Sequence, residues 1–271
     1  MLFDDEKDFL NVAIKAAKFS GEFTLDNLGK ISKEDIGIKR AADFVTRVDK
    51  ESESLIIKTI REKFPDHHIL AEESAKEAQP EGYRWIIDPL DGTTNYIHQF
   101  PVFSVSIALE YKGEVILGVI NDPFKKELFV AEKGKGAFLN GRPIHASAIR
   151  DMGYSLITTG FPFRKKEFID SYLKAFRNIF VKASDLRRAG SAALDLAYVA
   201  CGRCEGFFEI GLSAWDIAAG EILIKEAGGI ITDFGGGRDF LSTGNVVAGN
   251  PFIHGSVLRE IKEVFEGIIN K

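Results

Sequence analysis

Cysteine is scarce in this sequence: Cys201 and Cys204 are the only two among 271 residues. Two thiols are too few for the disulfide framework of a small secreted fold. Their CxxC spacing could instead mark a redox pair or half of a zinc site, but a zinc site needs two further ligands at comparable spacing. Because the pair closes an alanine-rich helical stretch and Gly202 is a suitable helix stop, we interpret CGRC as a helix end.

Long apolar runs are also missing. The stretch from Val102 to Leu109 is among the longest runs that are both uncharged and mostly apolar, and it is far shorter than the ~18 apolar residues of a membrane helix. The first ten residues, MLFDDEKDFL, carry acids where a secretory signal would carry basic and then apolar residues. We therefore expect a cytoplasmic protein that does not span a membrane.

Positive charge is in slight deficit: 35 lysines and arginines against 40 aspartates and glutamates give a formal net charge of −5. This balance excludes a general attraction to nucleic acid or to anionic lipid. The densest basic clusters are Arg164 to Lys166 and the pair Arg187 and Arg188. Both are predicted to be solvated faces, and a local nucleic-acid patch is the alternative.

The order of hydrophobic patterns predicts mixed helices and strands in the first part of the chain. Helical spacing runs from about Asp5 to Asn27 and from Lys50 to Phe64, and short strands are predicted at His68–Glu72 and Arg84–Asp88. The turn-rich segment SAKEAQPEGY between those strands predicts a mobile surface loop. Residues 102–144 contain successive strand patterns separated by KG, KK and GKG turns, which predict an antiparallel meander.

Beyond Tyr154, strand and helix patterns alternate to the end of the chain, as in an α/β unit. The chain is therefore predicted to form two fused halves: residues 1–148 with α+β character, and residues 149–271 with α/β character. No internal repeat and no proline-rich linker separates them. We expect the second half to complete a functional site begun in the first.

The strongest chemical signal is WIIDPLDGTTN, residues 85–95. An apolar strand ends at Asp88, and Asp91 follows three residues later, so both carboxylates can face one point with the Leu90 carbonyl between them. Oxygen-only ligand sets of this kind suit Mg²⁺. The structural alternative is a tight turn in which Asp91 merely caps a helix.

The residues that follow this turn predict a phosphate-binding segment. The amides of Gly92, Thr93 and Thr94 would lie at the start of a helix, without intrahelical acceptors and near the positive end of its dipole.

Three further acidic segments allow both a functional and a structural interpretation. Glu72 lies beside Glu73 at a strand end, which is typical of a solvated turn. Asp216 follows Ser213 at capping-box spacing, yet the first turn of a helix also projects towards a neighbouring site. Asp49 precedes the second helix and is interpreted by default as its cap.

Three segments taken together resemble the signature sequences of the inositol monophosphatases: AEES, WIIDPLDGTTN and WDIAAGEILIKEAGG occur in the same order and at similar spacing. The resemblance covers nearly the whole chain, and residues 186–216 look most like the bacterial branch. The sequence departs from the family pattern at Ala71, where the family has glycine, and in the short loop from Ser74 to Arg84.

The resemblance implies a layered α-β-α-β-α sandwich of the sugar phosphatase type, a homodimer, Mg²⁺ dependence and inhibition by lithium. It also implies two or three metal ions per active site. Glu72, Asp88 and the Leu90 carbonyl would hold the first Mg²⁺. Asp88, Asp91 and Asp216 would hold the second, and Glu72 would also touch a third, weaker ion.

The same resemblance assigns the remaining roles. Thr93 paired with Asp49 would help to activate the attacking water, with Glu72 also implicated, while Glu73 would support the site from behind. The polyol would be held by Asp91, Gly190, Ser191, Ala192, Glu209 and Asp216.

We therefore expect a Mg²⁺-dependent phosphomonoesterase that hydrolyses myo-inositol monophosphate to inositol and phosphate. One alternative keeps the chemistry and changes the substrate, as in a fructose-1,6-bisphosphatase, a dual-specificity sugar phosphatase or a nucleotide 3′-phosphatase. A second alternative is a non-catalytic role in an RNA-processing or transcription complex, supported here only by Arg187 and Arg188. So many converging acids favour the enzyme, because their mutual repulsion is costly without cations.

Overall fold

The computed structural model describes residues 3–40, 43–74 and 81–269. The helices are α1 (Phe3–Asn27), α2 (Arg47–Arg61), α3 (Thr93–Ile97), α4 (Ile169–Phe180), α5 (Ala192–Ala200), α6 (Ala214–Glu226), α7 (Phe240–Thr243) and α8 (His254–Phe265). The first nine strands are β1 (Ile36–Arg40), β2 (Asp43–Thr46), β3 (His68–Ala71), β4 (Tyr83–Asp91), β5 (Ser104–Tyr111), β6 (Glu114–Asp122), β7 (Glu127–Glu132), β8 (Gly136–Leu139) and β9 (Arg142–Ile144). The later strands are β10 (Leu156–Thr159), β11 (Asp185–Arg187), β12 (Gly206–Glu209), β13 (Ile230–Thr232) and β14 (Val246–Gly249).

The first half of the chain builds a seven-stranded sheet in the order β3-β4-β5-β6-β7-β8-β9. β3 and β4 are parallel. From β4 onward each strand pairs antiparallel with the next, which confirms the meander predicted for residues 102–144. β1 and β2 form a separate antiparallel pair that the hydrophobic pattern did not predict.

The second half builds a five-stranded sheet in the order β11-β10-β12-β14-β13. β10 is parallel to both β11 and β12, whereas β14 runs antiparallel to β12 and β13. The alternation of strand and helix predicted beyond Tyr154 is therefore confirmed. The division of the chain at residues 148 and 149 remains a prediction.

Helices and sheets stack in five layers because each sheet is apolar on both faces. α1 and α2 cover one face of the first sheet in a core that includes Ala13, Ile56 and Ile107. α5 and α6 lie between the two sheets, in a core shared by Ile222 and Phe207. α4 and α8 cover the outer face of the second sheet. This order confirms the predicted α-β-α-β-α sandwich.

The sequence of β4 explains its central place in these layers. Trp85 and Ile87 enter the core beneath α1 and α2, and Ile86 enters the core on the opposite face. Since successive side chains of a strand point to opposite faces, a run that is apolar throughout is typical of a strand buried on both sides.

The start of α2 differs from the prediction. The helix begins at Arg47 because Thr46 is its N-cap: the Thr46 Oγ1 accepts from the Val48 amide at 3.1 Å. Asp49 is the third helical residue, and its Oδ2 accepts from the Thr46 amide at 2.7 Å. The interpretation of Asp49 as the cap itself is wrong, since Asp49 instead completes a capping box. The predicted end at Phe64 is also late, because the helix ends at Arg61.

The DPLDG segment is a bulged strand, and the tight-turn alternative is wrong. β4 runs through to Asp91, and its register against β5 shifts between Asp88, which pairs with Ser106, and Asp91, which pairs with Ser104. Proline, which has no amide hydrogen to donate, is tolerated in a sheet at such a bulge. Pro89 therefore marks the irregularity that carries two acids beyond the regular part of the strand.

The remaining expectations for loops have mixed outcomes. The helix end predicted at CGRC is confirmed, because α5 ends at Ala200 and Gly202 adopts a φ of +73°. Both cysteines are free. Most of the surface loop predicted between β3 and β4, residues 75–80, lies outside the described residues.

Across the described ranges, none of the helices combines the length and apolar character that a membrane crossing requires.

Candidate active site

A cavity of about 290 Å³ opens where the ends of β4 and β12 meet the starts of α3, α5 and α6. It collects nearly all the residues that the sequence singled out. Those lining it are Glu72, Asp88, Leu90, Asp91, Gly92, Thr93, Thr94, Gly190, Ser191, Ala192, Glu209 and Asp216. Asp49 lies behind this wall and reaches the cavity through Thr93.

Three carboxylates converge at one end of the cavity. Oxygen atoms of Asp88, Asp91 and Asp216 all lie within 4.8 Å of one another, and all three residues are buried. Asp216 belongs to the first turn of α6, where its Oδ2 accepts from the Ser213 amide at 2.7 Å. The capping and site interpretations of Asp216 therefore both hold, because one carboxylate serves the helix start and the cavity.

The electrostatics of this cluster are dominated by burial and by the mutual repulsion of its acids. Burial raises the pKa of Asp88 well above its usual range, and the neighbouring charges of Glu72 and Asp91 raise it further. Burial likewise raises the pKa of Asp91 to about 7. The pKa of Asp216 rises to about 6, since burial outweighs the opposing charge of Arg164. A buried all-oxygen set of this kind suits a hard divalent cation such as Mg²⁺.

Glu72 lies directly after β3, outside the three-acid group but on the wall of the same cavity. Its Oε1 is 4.0 Å from the Arg164 Nη2. The solvated-turn interpretation of the Glu72–Glu73 pair is therefore wrong for Glu72. Its charge still reaches the cluster, as the effect on Asp88 demonstrates.

One face of α2 holds the segments that carry these acids. Asp49, Ser52 and Glu53 are buried at positions that share a helical face. The Ser52 hydroxyl donates to the Pro89 carbonyl at 2.9 Å, which fixes the bulge between Asp88 and Asp91. Glu53 accepts from the Glu73 amide at 2.7 Å. The helix thus positions both strand ends from behind.

Asp49, the remaining residue of that face, forms the predicted pair with Thr93. The Thr93 hydroxyl donates to the Asp49 Oδ1 at 2.8 Å and lies 3.2 Å from the Leu90 carbonyl oxygen. Burial raises the pKa of Asp49, although hydrogen bonds from Thr46 and Thr93 oppose that rise. Asp49 thus accepts from two donors of the α2 N-cap, the Thr46 amide and hydroxyl, and from one donor on the cavity wall, the Thr93 hydroxyl.

Gly92 is required by geometry at the start of α3. Its φ is +98°, a left-handed conformation that favours glycine. A Cβ at this position would lie 2.9 Å from the Val102 carbonyl oxygen and 3.2 Å from that of Gly190. The absence of a side chain lets the start of α3 approach the start of α5. The amides of Thr93 and Thr94 begin that helix, as predicted.

The start of α5 is tied to the three-carboxylate end of the cavity. The Ser191 hydroxyl donates to the Asp91 Oδ2 at 2.5 Å, and the Ala193 amide donates to the same oxygen at 2.9 Å. These bonds join the two halves of the chain at the site. Glu209, the last residue of β12, also lines the cavity, and burial raises its pKa to about 8.

Sequence reasoning missed three charged residues of the cavity lining. Arg164 was predicted to lie on a solvated face, but its side chain is only 20% exposed and its Nη1 is 3.5 Å from the Asp216 Oδ2. That prediction is wrong because the segment after β10 folds over the acids. Arg188 is exposed yet also lines the cavity, and Asp195 lines it from within α5. The position of Arg164 shortly after a strand end was the sequence signal that could have predicted its place in the site. Asp195 gave no such signal, because it lies within an alanine-rich helix.

Comparison with known proteins agrees with this geometry. The profile of the inositol monophosphatase family matches residues 5–266. The chain is 47% identical over 255 residues to the Escherichia coli K12 protein named Nus factor SuhB, across 94% of this chain and 96% of that protein.

Two solved structures extend the comparison to the fold. The inositol monophosphatase from Anabaena (Nostoc) sp. PCC 7120 matches with a TM-score of 0.86 and 42% identity, covering 96% of this chain and 97% of that one. The structure named inositol monophosphate bound SaIMPase-II matches with a TM-score of 0.81 and 25% identity, over 95% and 96% of the two chains. With a family match over almost its whole length and close relatives in both sequence and structure, this chain belongs to the inositol monophosphatase family.

Proposed function

We propose that the protein is a Mg²⁺-dependent phosphomonoesterase that hydrolyses myo-inositol monophosphate to inositol and phosphate. The observation that carries this proposal is the convergence of Asp88, Asp91 and Asp216 in a cavity that also holds the Thr93–Asp49 pair. Family membership and the names of two structural neighbours support the substrate class.

The residues of the cavity fit the metal requirement of this reaction. Glu72, Asp88 and the Leu90 carbonyl would hold a first Mg²⁺, and Asp88, Asp91 and Asp216 would hold a second, with Glu72 also close to a weaker third. Bound Mg²⁺ would supply Lewis-acid chemistry, lowering the pKa of the attacking water and stabilising the charge on the departing oxygen.

Thr93 and Asp49 would orient the attacking water. Because the Thr93 hydroxyl donates its proton to Asp49, its oxygen lone pairs are left to accept a hydrogen bond from water. Asp49 is itself fixed by the Thr46 amide, so the direction of that proton is set before substrate binds. Water positioned in this way can attack phosphorus directly, and no covalent nucleophile on the protein is required.

The phosphate and the polyol would occupy different walls of the cavity. The amides of Gly92, Thr93 and Thr94 would stabilise the phosphate oxygens. The α5 start and Glu209 would contact the polyol, for which the proposed residues are Asp91, Gly190, Ser191, Ala192, Glu209 and Asp216.

The test is phosphate release from a panel of esters with Mg²⁺ titrated. We expect myo-inositol monophosphate to have the highest kcat/KM, hydrolysis to require Mg²⁺, and Li⁺ to inhibit it. Fructose 1,6-bisphosphate, a nucleotide 3′-phosphate and an aryl phosphate complete the panel. A higher kcat/KM for fructose 1,6-bisphosphate would overturn the substrate assignment, and Mg²⁺-independent hydrolysis would overturn the mechanism.

Gly160 provides a second prediction, about how Glu209 is placed. Gly160 follows β10, and a Cβ on it would overlap the Glu209 carboxyl group. Because that carboxyl is the free end of a side chain, Gly160→Ala should displace Glu209 without unfolding the protein. We expect KM for inositol monophosphate to rise about 10-fold, the cost of one or two lost hydrogen bonds.

Gly255→Ala in α8 is the matched control, since a Cβ there meets no described atom within 4 Å. Its KM should stay at the wild-type value. Equal KM values for the two variants, with wild-type melting temperatures, would contradict the placement of Glu209 against the substrate.

A second candidate function is association with a transcription complex, favoured by the name Nus factor carried by the Escherichia coli relative. The two arginines that we considered for such a surface, Arg187 and Arg188, have different positions. Arg187 is exposed and pairs with Asp185, while Arg188 lines the cavity. The ester panel separates the two functions, since a protein that only binds partners would hydrolyse none of the esters. The homodimer and the cytoplasmic location stay predictions.

A further inference from the structure

Asp195 is a cavity residue without an assigned task. It lies in the first turn of α5 and lines the cavity although only 1% of the residue is exposed. Within the described part of the chain, its Oδ1 is buried and has no hydrogen-bond partner. A buried carboxyl oxygen without a hydrogen-bond partner lowers the stability of the fold. In a cavity wall, such an oxygen indicates a group to which a ligand donates a hydrogen bond.

The position of Asp195 distinguishes it from the proposed metal ligands. The three acids whose oxygens approach one another are Asp88, Asp91 and Asp216, and Asp195 is outside that group. Asp195 follows Ser191 by four residues and so shares its face of α5. The charged groups that act on it are Glu209 first, then Asp91 and Arg188. Asp195 therefore lies beside Glu209 and Asp91, two of the residues proposed to hold the polyol.

We propose that Asp195 binds a substrate hydroxyl and thereby makes the site selective for polyol phosphates over phosphate esters that lack hydroxyls. This inference rests on the proposed function and assigns a residue beyond those that the family resemblance implies. The ligand class is a polyhydroxylated phosphate monoester with a hydroxyl directed at α5.

The chemistry of a carboxyl group supports this assignment. Burial, with the charges of Glu209 and Asp91, raises the pKa of Asp195 well above its usual range. A carboxyl group accepts a hydrogen bond from a hydroxyl in either protonation state, and its protonated form, which a raised pKa favours, also donates one. Asparagine keeps one donor group and one acceptor at the same length, whereas alanine removes both.

The experiment compares Asp195→Ala and Asp195→Asn with wild type on myo-inositol monophosphate and on p-nitrophenyl phosphate, at saturating Mg²⁺. For Asp195→Ala we expect the ratio of kcat/KM values, inositol ester over aryl ester, to fall about 10-fold, as a site loses a hydroxyl partner. Asp195→Asn should restore most of that ratio. Calorimetric titration should give weaker binding of myo-inositol to Asp195→Ala, with inorganic phosphate binding retained.

Asp170→Ala, which removes an exposed acid in the first turn of α4, is the control for loss of an aspartate. An unchanged ester ratio in Asp195→Ala, or equal weakening of inositol and phosphate binding, would overturn the inference. A wild-type protein that hydrolyses neither ester would overturn the proposed function instead, and the inositol titration would still test Asp195.

Discussion

Replacing Asp91 with asparagine is expected to lower kcat/KM for inositol monophosphate at least about 10³-fold, equivalent to roughly 4 kcal/mol of transition-state stabilisation. Asp91 is the one acid of the cluster that also anchors α5, through Ser191 and Ala193. Asparagine keeps an oxygen for those donors but removes a negative charge from the metal site. The variant should therefore keep its fold, which circular dichroism measures. It should lose turnover, which a phosphate-release assay measures.

Asp233→Asn is the control for this variant. Asp233 is a buried aspartate that accepts from the amides of Gly237 and Asp239, away from the cavity lining. It should keep near wild-type kcat/KM. Turnover by purified Asp91→Asn within a few-fold of wild type would rule out the assignment of Asp91 as a metal ligand.

Mg²⁺ should raise the melting temperature far more at about pH 8 than at about pH 5. In the folded protein without metal, the pKa is about 6 for Asp216, about 7 for Asp91 and about 8 for Glu209, all above their usual values. An acid whose folded pKa is raised binds more protons folded than unfolded between its two pKa values, so stability falls as pH rises through the folded pKa. The metal-free protein is therefore expected to lose stability from about pH 5 to about pH 8.

Bound Mg²⁺ needs the deprotonated acids and opposes this loss. At a free Mg²⁺ concentration about 100 times Kd the gain is about 2.7 kcal/mol, or roughly 5–10 °C for a chain of this size. Differential scanning fluorimetry with EDTA or Mg²⁺ across that pH range measures this gain in melting temperature. Asp91→Asn should be more stable than wild type in EDTA at pH 8 and should respond little to Mg²⁺. An equal Mg²⁺ response at both pH values would contradict a site made of these acids.

Much of the fold and site followed from local sequence. Strands of the meander are separated by short turns, and each pairs with the next along the chain, so contiguous patterns were enough to order them. The ligand motif around Asp88 and Asp91 is likewise contiguous, and its acids lie where an apolar strand ends. Asp216 was placed correctly in the first turn of a helix because the helix pattern locates that start.

What failed depended on contacts between distant segments. Apart from its position shortly after a strand end, nothing near Arg164 indicates that its loop folds over Glu72 and Asp216, because three adjacent basic residues are equally suited to a solvated surface. Asp195 is surrounded in sequence by alanines and leucines, and only the approach of β12 makes its position a cavity wall. The cap of α2 was misplaced by local reasoning alone, since Thr46 and Asp49 both suit a helix start.

The face of α2 formed by Asp49, Ser52 and Glu53 has a consequence for how the protein loses activity. This helix belongs to the outermost layer, and it bonds to Thr93, to the strand bulge and to the segment after β3. A local opening that lifts α2 from its sheet would release all three at a fraction of the free energy of global unfolding. We therefore expect the proposed activity to be lost under milder conditions than those that unfold the whole protein.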